Sequence, residues 1–342
     1  MLIINSLKPF YVDKENKLIR MGNFKDTAKE IEFEDDSLII LFNNVLNPIS
    51  KEDLINKTMK DTGLSKEDIN GAIEYLLEEK FIINYDDYEK LLNSDLNRQN
   101  MYFSMCSDEF KEWNIDIQPR ILVLGLGGVG SNVSLLLSRA GFKKFTFVDC
   151  DVVEKSNLIR QLPYSYSDIG KNKTDVLSKL LSNEENTIDT YNKKILNESD
   201  IEDKIVNSDF VICTLDKPSR IIRRIINKLC IKHNKPVIFS GFSEHVAMIG
   251  PFIEPNKTAC LMCIEKHMNE EPMNNVINTP SYGPLCMLIS SIVSNEIINY
   301  YYKFNSNNLL GKTMMINMLT YEQSIINWNK KEDCEVCHND SK

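Results

Sequence analysis

The sequence lacks an apolar run of about 18 residues, the length that a membrane-spanning helix needs. Its first residues, MLIINSLKPF, have neither the basic segment nor the long apolar segment of a secretory signal. It also lacks an excess of positive charge, since 342 residues carry a net charge of −9. We therefore expect a cytoplasmic protein with neither a membrane nor a nucleic acid as partner. In that compartment, the nine cysteines are expected to be thiols or metal ligands rather than disulfides.

The negative charge is concentrated in the first 97 residues. They hold 12 Lys and Arg against 20 Asp and Glu, a net of −8, whereas the remainder holds 28 against 29, a net of −1. No internal repeat, low-complexity tract or Pro/Gly-rich linker is visible along the chain. The charge step predicts an N-terminal module over residues 1–95 and a larger domain over residues 96–342.

The N-terminal module has two helix-start signals, because Ser50 and Ser65 are each followed by an Asp at the third position. Gly63 is expected to end the first of these helices. Residues 37–42 are predicted as a strand, and residues 81–85 as a second strand followed by an acidic turn. Helix, turn, helix and strand in this order predict a winged helix.

Three roles are open for this module. A winged helix often binds DNA, but a net charge of −8 opposes contact with phosphates. An exposed strand edge can instead accept an extended peptide by strand addition. A purely structural cap is the third possibility. The charge favours a peptide clamp that recognises a leader segment over a cap, and a cap over DNA binding.

The larger domain opens with a phosphate-binding pattern. The apolar run at residues 121–124 is typical of a buried parallel strand, and residues 131–140 follow a helical pattern. Between them lies a G-x-G-x-x-G loop, in the strand-to-helix context that this motif requires. Its glycines, Gly125, Gly127, Gly128 and Gly130, would let the backbone approach phosphates, and the helix N-terminus would attract the anion.

Further polar residues follow successive strands. Asp149 ends a second predicted strand, where it could accept hydrogen bonds from ribose hydroxyls. Arg160 and Lys173 add two cations beyond those that a dinucleotide needs, which favours a triphosphate over a plain NAD-dependent dehydrogenase. Asp216 follows a third strand, where a carboxylate can hold Mg²⁺ against phosphate oxygens. We have no physical account of the neighbouring Lys217.

Two C-x-x-C pairs, 70 residues apart, have the spacing of zinc knuckles. The sequence predicts one structural zinc site formed by Cys260, Cys263, Cys334 and Cys337. Haem attachment at C-x-x-C-H is a weaker alternative, because it leaves the first pair unexplained. A redox dithiol is also weaker, because the sequence does not show its usual thioredoxin-like setting. Cys286 is expected to be a buried small hydrophobe, with a thioester-forming thiol as the alternative. Arg220, Arg223 and Arg224 are expected on a solvated helix face, with a pocket contact as the alternative.

The ordered segments GxGGxG, VDCDVVEKSNLIRQ and DIGKNKTD, followed by an Asp after the third strand, resemble the ubiquitin-activating-type adenylyltransferases over about residues 96–342. The resemblance implies an α/β, Rossmann-like adenylation domain that activates a C-terminal carboxylate with ATP and Mg²⁺ and releases pyrophosphate. It implies nucleotide contacts by the four loop glycines and by Asp149, Asp151, Asn157 and Gln161, and catalytic roles for Arg160, Lys173 and the magnesium ligand Asp216. It also implies a catalytic role for Arg98, supplied across a homodimer.

With the leading module and both cysteine pairs included, nearly the whole chain resembles the peptide adenylyltransferases of the microcin C type. That resemblance implies a homodimer acting on a short ribosomal precursor peptide. The C-terminal residue of the peptide, Asn in the characterised reaction, is adenylated and ends as a stable nucleotide-capped product. The residues address phosphates and not the base, so ATP or another nucleoside triphosphate is the expected donor.

Other functions remain open at this stage. The first is activation of a sulfur-carrier protein in a thiamin or molybdopterin pathway, which the acidic N-terminal module disfavours. The second is another modification of a ribosomal peptide, such as cyclisation or dehydration. The third is a non-catalytic leader-binding protein, which the presence of Arg160, Lys173 and Asp216 disfavours.

Overall fold

A computed structural model describes the chain except for residues 25–26, 112, 114–117, 216–218, 266–279, 307 and 338–342, and gives only the backbone of residues 219 and 220. The chain divides into two compact units, Met1–Asn114 and Ile115–Lys342. The division falls later than the boundary predicted after residue 95.

The first unit contains two small antiparallel sheets among its described residues. A two-stranded sheet pairs β1 with β5, and a three-stranded sheet has the order β2-β3-β4. The strands are β1 (Leu2–Ile4), β2 (Phe10–Asp13), β3 (Leu18–Met21), β4 (Lys29–Glu32) and β5 (Ile82–Asn84). Strands β2 and β4 are therefore the edges of the larger sheet.

The helices of this unit are α1 (Ser37–Asn44), α2 (Lys51–Thr62), α3 (Lys66–Glu78), α4 (Tyr85–Asn93) and α5 (Asn97–Ser107). Both predicted helix starts are confirmed. The Ser50 hydroxyl accepts a hydrogen bond from the amide of Asp53 (3.0 Å), and the Ser65 hydroxyl accepts one from the amide of Asp68 (3.1 Å). Gly63 ends α2 in the left-handed conformation.

Two predictions for this unit are wrong. Residues 37–42 form helix α1 and not a strand, because a short apolar run suits either element and tertiary packing decides. Here Leu41 and Phe42 are buried in the core of the unit. The acidic segment after β5 begins α4, with the Asn84 side chain capping the amide of Asp86 (2.9 Å). A helix thus stands where the acidic turn is predicted, and the winged-helix assignment stays a prediction.

Helix α5 belongs to the first unit by its contacts. The Asn100 side chain donates to the hydroxyl of Ser94 (2.9 Å). The ring of Phe103 packs edge-on against Trp113, and the Trp113 indole donates to the hydroxyl of Ser104 (3.1 Å). These contacts account for the division of the chain after Asn114.

The second unit is built on an eight-stranded sheet with the order β13-β12-β11-β10-β9-β6-β7-β8. Its strands are β6 (Arg120–Leu124), β7 (Lys144–Val148), β8 (Thr187–Tyr191), β9 (Phe210–Cys213), β10 (Val237–Ser243), β11 (Val246–Ile253), β12 (Lys312–Asn317) and β13 (Gln323–Asn327). The five neighbouring strands β8, β7, β6, β9 and β10 are parallel. Strands β11, β12 and β13 continue the sheet with antiparallel pairings. The α/β, Rossmann-like prediction is therefore confirmed.

The helices of the second unit are α6 (Gly130–Arg139), α7 (Lys173–Leu181), α8 (Glu202–Val206), α9 (Ser219–Lys232), α10 (Leu261–Glu265) and α11 (Gly283–Tyr302). The central strands are continuous apolar runs because both of their faces are buried, as in other parallel sheets. Among the helices described, none has the length and hydropathy needed to cross a bilayer.

Candidate active site

The glycine loop joins β6 to α6 in a tight turn with one open side. Gly125 has a φ of +88°, and a methyl group built on Gly130 would lie 1.9 Å from the carbonyl oxygen of Gly125. A side chain is therefore excluded at both positions. A methyl group on Gly127 would meet no other atom within 4 Å. The loop thus offers open space directly in front of the N-terminus of α6, where an anion is favoured.

The ends of three neighbouring strands hold this loop in place. The amide of Leu126 donates to the carboxylate of Asp149 (2.6 Å), which follows β7. The hydroxyl of Thr214, which follows β9, donates to the carbonyl oxygen of Gly125 (2.9 Å). The hydroxyl of the buried Tyr164 donates to the carbonyl oxygen of Leu126 (3.1 Å). The loop that follows β6 is therefore fixed by the residues after its two neighbouring strands.

Asp149 is buried, and this burial raises the pKa of its carboxyl above the ordinary value, while Lys173 and the amides of Leu126 and Asp151 act in the opposite direction. Its second oxygen accepts a hydrogen bond from the amide of Asp151 (2.8 Å). The carboxylate thus connects the glycine loop to the segment that follows β7, in addition to any role toward a ribose.

The predicted cation Lys173 lies at the start of α7, and its side chain is buried. The backbone of residues 151–153 pairs with that of residues 170–173 through hydrogen bonds such as the one from the Lys173 amide to the carbonyl oxygen of Asp151 (3.1 Å). This pairing places the Lys173 ammonium 3.0 Å from the carboxylate of Asp151, which is exposed. Hydrogen bonds therefore link Asp149, Asp151 and Lys173, and Asp149 connects this group to the glycine loop.

Arg160 is the second predicted cation that the structure places beside the loop. Its Cγ atom would lie 3.4 Å from a methyl group on Gly128, and its Nη1 donates to the carbonyl oxygen of Ser156 (2.8 Å). The side-chain amide of Asn132 donates to the carbonyl oxygens of Gly128 (2.6 Å) and Arg160 (3.1 Å). Asn132 therefore joins the loop to the segment that carries Arg160.

Asn157 and Gln161 are both buried beside Arg160 in the sequence. Asn157 accepts a hydrogen bond from the amide of Glu154 (3.1 Å), which orders the turn before Arg160. The side-chain oxygens of Gln161 and Asn132 are buried and lack a hydrogen-bond partner in the described chain. Buried acceptors are normally satisfied, so these two mark a place for a water or a ligand donor.

Two predicted catalytic residues, Asp216 and Arg98, stay predictions. Asp216 lies outside the described residues, as does Lys217. Arg98 is exposed on α5, in the other unit. For a magnesium ion, the described residues near the loop offer the carboxylates of Asp149 and Asp151, which are oxygen ligands of the kind that Mg²⁺ prefers.

Sequence reasoning missed three residues that shape the site, namely Asn132, Tyr164 and Thr214. Asn132 carries a usable signal, because a polar amide two residues into a helix that follows a glycine loop is placed to bond the loop backbone. Tyr164 and Thr214 become visible only when the strands are assembled. Cys286 is confirmed as buried, and burial raises the pKa of its thiol. Its sulfur lies beside the loop, because a methyl group built on Gly128 would be 2.6 Å from it.

The four predicted zinc ligands come together at a second location in this unit. The sulfur atoms of Cys260 and Cys334 are 3.6 Å apart, those of Cys263 and Cys337 are 3.4 Å apart, and those of Cys260 and Cys263 are 4.0 Å apart. A tetrahedral zinc with bonds of about 2.3 Å to four thiolates has sulfur–sulfur edges of about 3.8 Å. The separations exceed the ~2.05 Å of a disulfide bond. The cluster therefore fits a structural zinc ion.

The glycine loop with Arg160 and Lys173 beside it, at the carboxyl ends of parallel strands, defines a nucleotide-binding enzyme domain of the Rossmann-like type. Residues 87–336 match the ThiF family, and the chain belongs to this family. At the level of the family, this confirms the prediction of an adenylyltransferase-type enzyme.

Three curated relatives share 24–28% of the aligned residues with this chain. The SUMO-activating enzyme subunit uba-2 of Caenorhabditis elegans is 28% identical over 53% of this chain, and the match spans only 31% of that protein. The sulfur carrier protein ThiS adenylyltransferase of Escherichia coli is 27% identical over 53% of this chain and 72% of its own length. The molybdopterin-synthase adenylyltransferase of E. coli is 24% identical over 72% of this chain and 98% of its own length.

Among solved structures, E. coli MccB is similar along the whole chain. MccB with MccA-N7isoASN superposes with a TM-score of 0.79 and 22% identity, covering 99% of each chain. MccB with ATP superposes with a TM-score of 0.77 and 21% identity, again over 99% of each chain. This likeness supports the α/β, Rossmann-like fold, and the winged-helix assignment of the first unit stays a prediction.

Proposed function

We propose that this chain is an ATP-dependent nucleotidyltransferase that activates and caps the C-terminal residue, Asn, of a short ribosomal precursor peptide, as in microcin C-like antibiotic biosynthesis. The proposal rests on how much of this chain the similarity to MccB covers. The likeness to MccB, solved with the MccA peptide and with ATP, extends over 99% of the chain and so includes the unit Met1–Asn114. The molybdopterin-synthase adenylyltransferase matches 72% of the chain.

In the proposed reaction, an oxygen of the peptide carboxylate attacks the α-phosphorus of ATP. A bond forms between that oxygen and phosphorus, and the bond to the pyrophosphate oxygen breaks, so that the leaving group takes the negative charge. The terminal Asn then closes to a succinimide and expels AMP, and the succinimide nitrogen attacks the α-phosphorus of a second ATP, which releases pyrophosphate and leaves a stable phosphorus–nitrogen bond. Both reactants are anions, and Arg160 and Lys173 would reduce their repulsion and stabilise charge on the leaving group. Asp216 would hold a Mg²⁺ ion, which when bound neutralises phosphate charge. Arg98, supplied by a second subunit of a homodimer, would add to this.

The glycine loop would hold the nucleotide in position, which lowers the entropic part of the barrier. The open side of Gly127 is where phosphates would approach, and Asp149 would accept from the ribose while it fixes the loop. The buried, unpartnered oxygens of Gln161 and Asn132 could accept from a ribose hydroxyl or a bound water. No side-chain nucleophile is required.

The first unit would act as a clamp for the peptide. Strand β2 is an edge of the three-stranded sheet, and Tyr11 and Val12 on it are exposed. An extended peptide could add to that edge by backbone hydrogen bonds. The unit's negative charge would favour a peptide that carries positive charge.

The Cys₄ cluster would hold a structural zinc that fixes the C-terminal segment onto the second unit. It connects two segments that lie about 70 residues apart in the chain. We further propose a cytoplasmic homodimer.

Activation of a sulfur-carrier protein is the second candidate function, because one curated relative is named as a sulfur carrier protein adenylyltransferase. ATP–pyrophosphate exchange separates the candidates. We expect exchange that depends on a short peptide ending in Asn, and none with a small carrier protein ending in Gly-Gly. Exchange that depends on the carrier alone would contradict the proposal.

A further inference from the structure

Arg223, on helix α9, carries a buried donor atom that has no acceptor among the described residues. Its Nη2 donates to the carbonyl oxygen of Ser240 (3.2 Å), and its guanidinium lies 5.9 Å from the centre of the Phe239 ring. Its Nε is buried and has no hydrogen-bond partner in the described chain, and the same is true of the hydroxyl of Ser240. An unsatisfied buried polar group costs about 1–3 kcal/mol, so two neighbouring ones call for a ligand.

The two groups lie at the edge of the sheet where the nucleotide loop lies. In the parallel pairing of β9 with β10, Phe239 is the partner of Cys213. The next residue after Cys213 is Thr214, whose hydroxyl donates to the carbonyl oxygen of Gly125. Ser240, the residue after Phe239, is therefore one strand away from the loop, just past the last residue of β10 that pairs with β9. Ligands of open α/β sheets bind at this edge.

The backbone next to Ser240 leaves room for the guanidinium. A methyl group built on Gly241 would lie 3.3 Å from Nη2 of Arg223, which is closer than ordinary contact. The half-buried Arg223 therefore occupies the space that a side chain would fill. The expectation of a purely solvated helix face is wrong for this residue, whereas the adjacent Arg224 is exposed and pairs with Glu265 (2.6 Å).

The chemistry of the two groups selects the ligand. The Nε–H of an arginine only donates, and a serine hydroxyl can also donate, so both can bind one acceptor group. The positive charge favours an anion, and a carboxylate accepts from a guanidinium and a hydroxyl together. The phosphates already have Arg160 and Lys173 beside the loop.

We propose that Arg223 and Ser240 bind the C-terminal carboxylate of the peptide and position it for attack on the α-phosphorus. This inference rests on the proposed function and deepens it, because it identifies the groups that distinguish a free carboxylate from other peptide ends. A peptide with an amidated C-terminus would lose the charge and one acceptor oxygen, and it would leave Arg223 unpaired.

The test measures the dissociation constant of the peptide that gains a nucleotide, prepared as the free acid and as the C-terminal amide, without nucleotide present. The wild type should bind the acid about tenfold or more tightly than the amide, as a charged hydrogen bond predicts. In Arg223→Gln, the two forms should bind with equal affinity. Arg224→Gln is the matched control and should keep the wild-type ratio.

Ser240→Ala leaves the cation in place, and it should reduce the ratio by about threefold. This smaller change keeps the test valid if Arg223→Gln fails to fold, as judged by circular dichroism. An unchanged ratio of acid to amide affinity in Arg223→Gln or in Ser240→Ala would overturn the inference, as would equal affinities in the wild type. If no peptide gains a nucleotide, the proposed function fails and this inference fails with it. If an adduct forms but Arg223→Gln still prefers the acid, only this inference fails.

Discussion

The ammonium of Lys173 lies 3.0 Å from the carboxylate of Asp151, and the lysine side chain is 5% exposed whereas that of the aspartate is 63% exposed. The exposed carboxylate therefore fixes a buried ammonium in one position. This arrangement suits a cation that must meet phosphate while it stays fixed by the protein. It also explains why a buried lysine is tolerated at the start of α7.

We predict that Lys173→Gln lowers the rate of peptide-dependent pyrophosphate exchange by about 100-fold or more, because the transition state loses a fixed positive charge. The control is Lys171→Gln. It removes an exposed lysine that lies two residues before Lys173 and pairs with Asp168 (3.1 Å). That variant should stay within about threefold of the wild-type rate. Equal losses in the two variants would contradict the role assigned to Lys173.

Two glycines of the loop should respond differently to the same substitution. Gly127→Ala adds a methyl group in open space, so thermal stability should be unchanged while the affinity for ATP falls about tenfold. Gly130→Ala places a methyl group 1.9 Å from the carbonyl oxygen of Gly125, so it should lower the free energy of unfolding by about 1–3 kcal/mol or more. Thermal melts and nucleotide titrations of both variants check this. A Gly127→Ala protein that binds ATP normally would show that the open side is not the phosphate site.

Metal analysis of protein purified without chelator should find about one zinc ion per chain. Cys334→Ser should abolish this zinc and lower the melting temperature, because the C-terminal segment loses its attachment. Cys150→Ser changes an exposed cysteine outside the cluster, and it should keep both the zinc and the melting temperature. A metal-free wild-type protein with the same stability as Cys334→Ser would refute the zinc assignment.

The raised pKa of Asp149 predicts a pH dependence of stability. Because the folded protein binds this proton more tightly than the unfolded chain, the stabilisation from Asp149 is complete below the ordinary pKa of 3.8 and is lost as the pH rises through the folded-state pKa. The free energy of unfolding of the wild type minus that of Asp149→Asn should therefore decrease as the pH rises above the ordinary pKa of 3.8. Urea titrations of both proteins above that pH measure it. A difference that grows with pH would mean that the two backbone amides and Lys173 outweigh burial.

Much of the second unit could be predicted because its signals are local. The strand at residues 121–124, the glycine loop and Asp149 follow one another in the sequence, and the sheet places them together. The cysteine pairs were recognisable from spacing alone. By contrast, the pairing of Asp151 with Lys173 depends on a bridge between two loop segments that no sequence pattern specifies.

The first unit shows where such signals fail. Ser50 and Ser65 mark the starts of their helices by side-chain caps. Ser37, in contrast, begins a helix whose apolar run could equally form a strand. Asn84 and the two aspartates that follow it form a helix-start signal. The prediction of an acidic turn at these residues did not use that signal. The partial burial of Arg223 could not be foreseen, because it depends on the lack of a side chain at Gly241 on a neighbouring strand.

The most direct measurement is mass spectrometry of a reaction that contains the protein, Mg²⁺, a mixture of nucleoside triphosphates and the short peptide encoded nearest its gene. We predict that the peptide gains the mass of one nucleoside monophosphate and that the adduct survives mild hydrolysis, which also identifies the base. Release of pyrophosphate with a Gly-Gly carrier protein, and no stable adduct on the peptide, would contradict this account and would favour carrier activation by the same site.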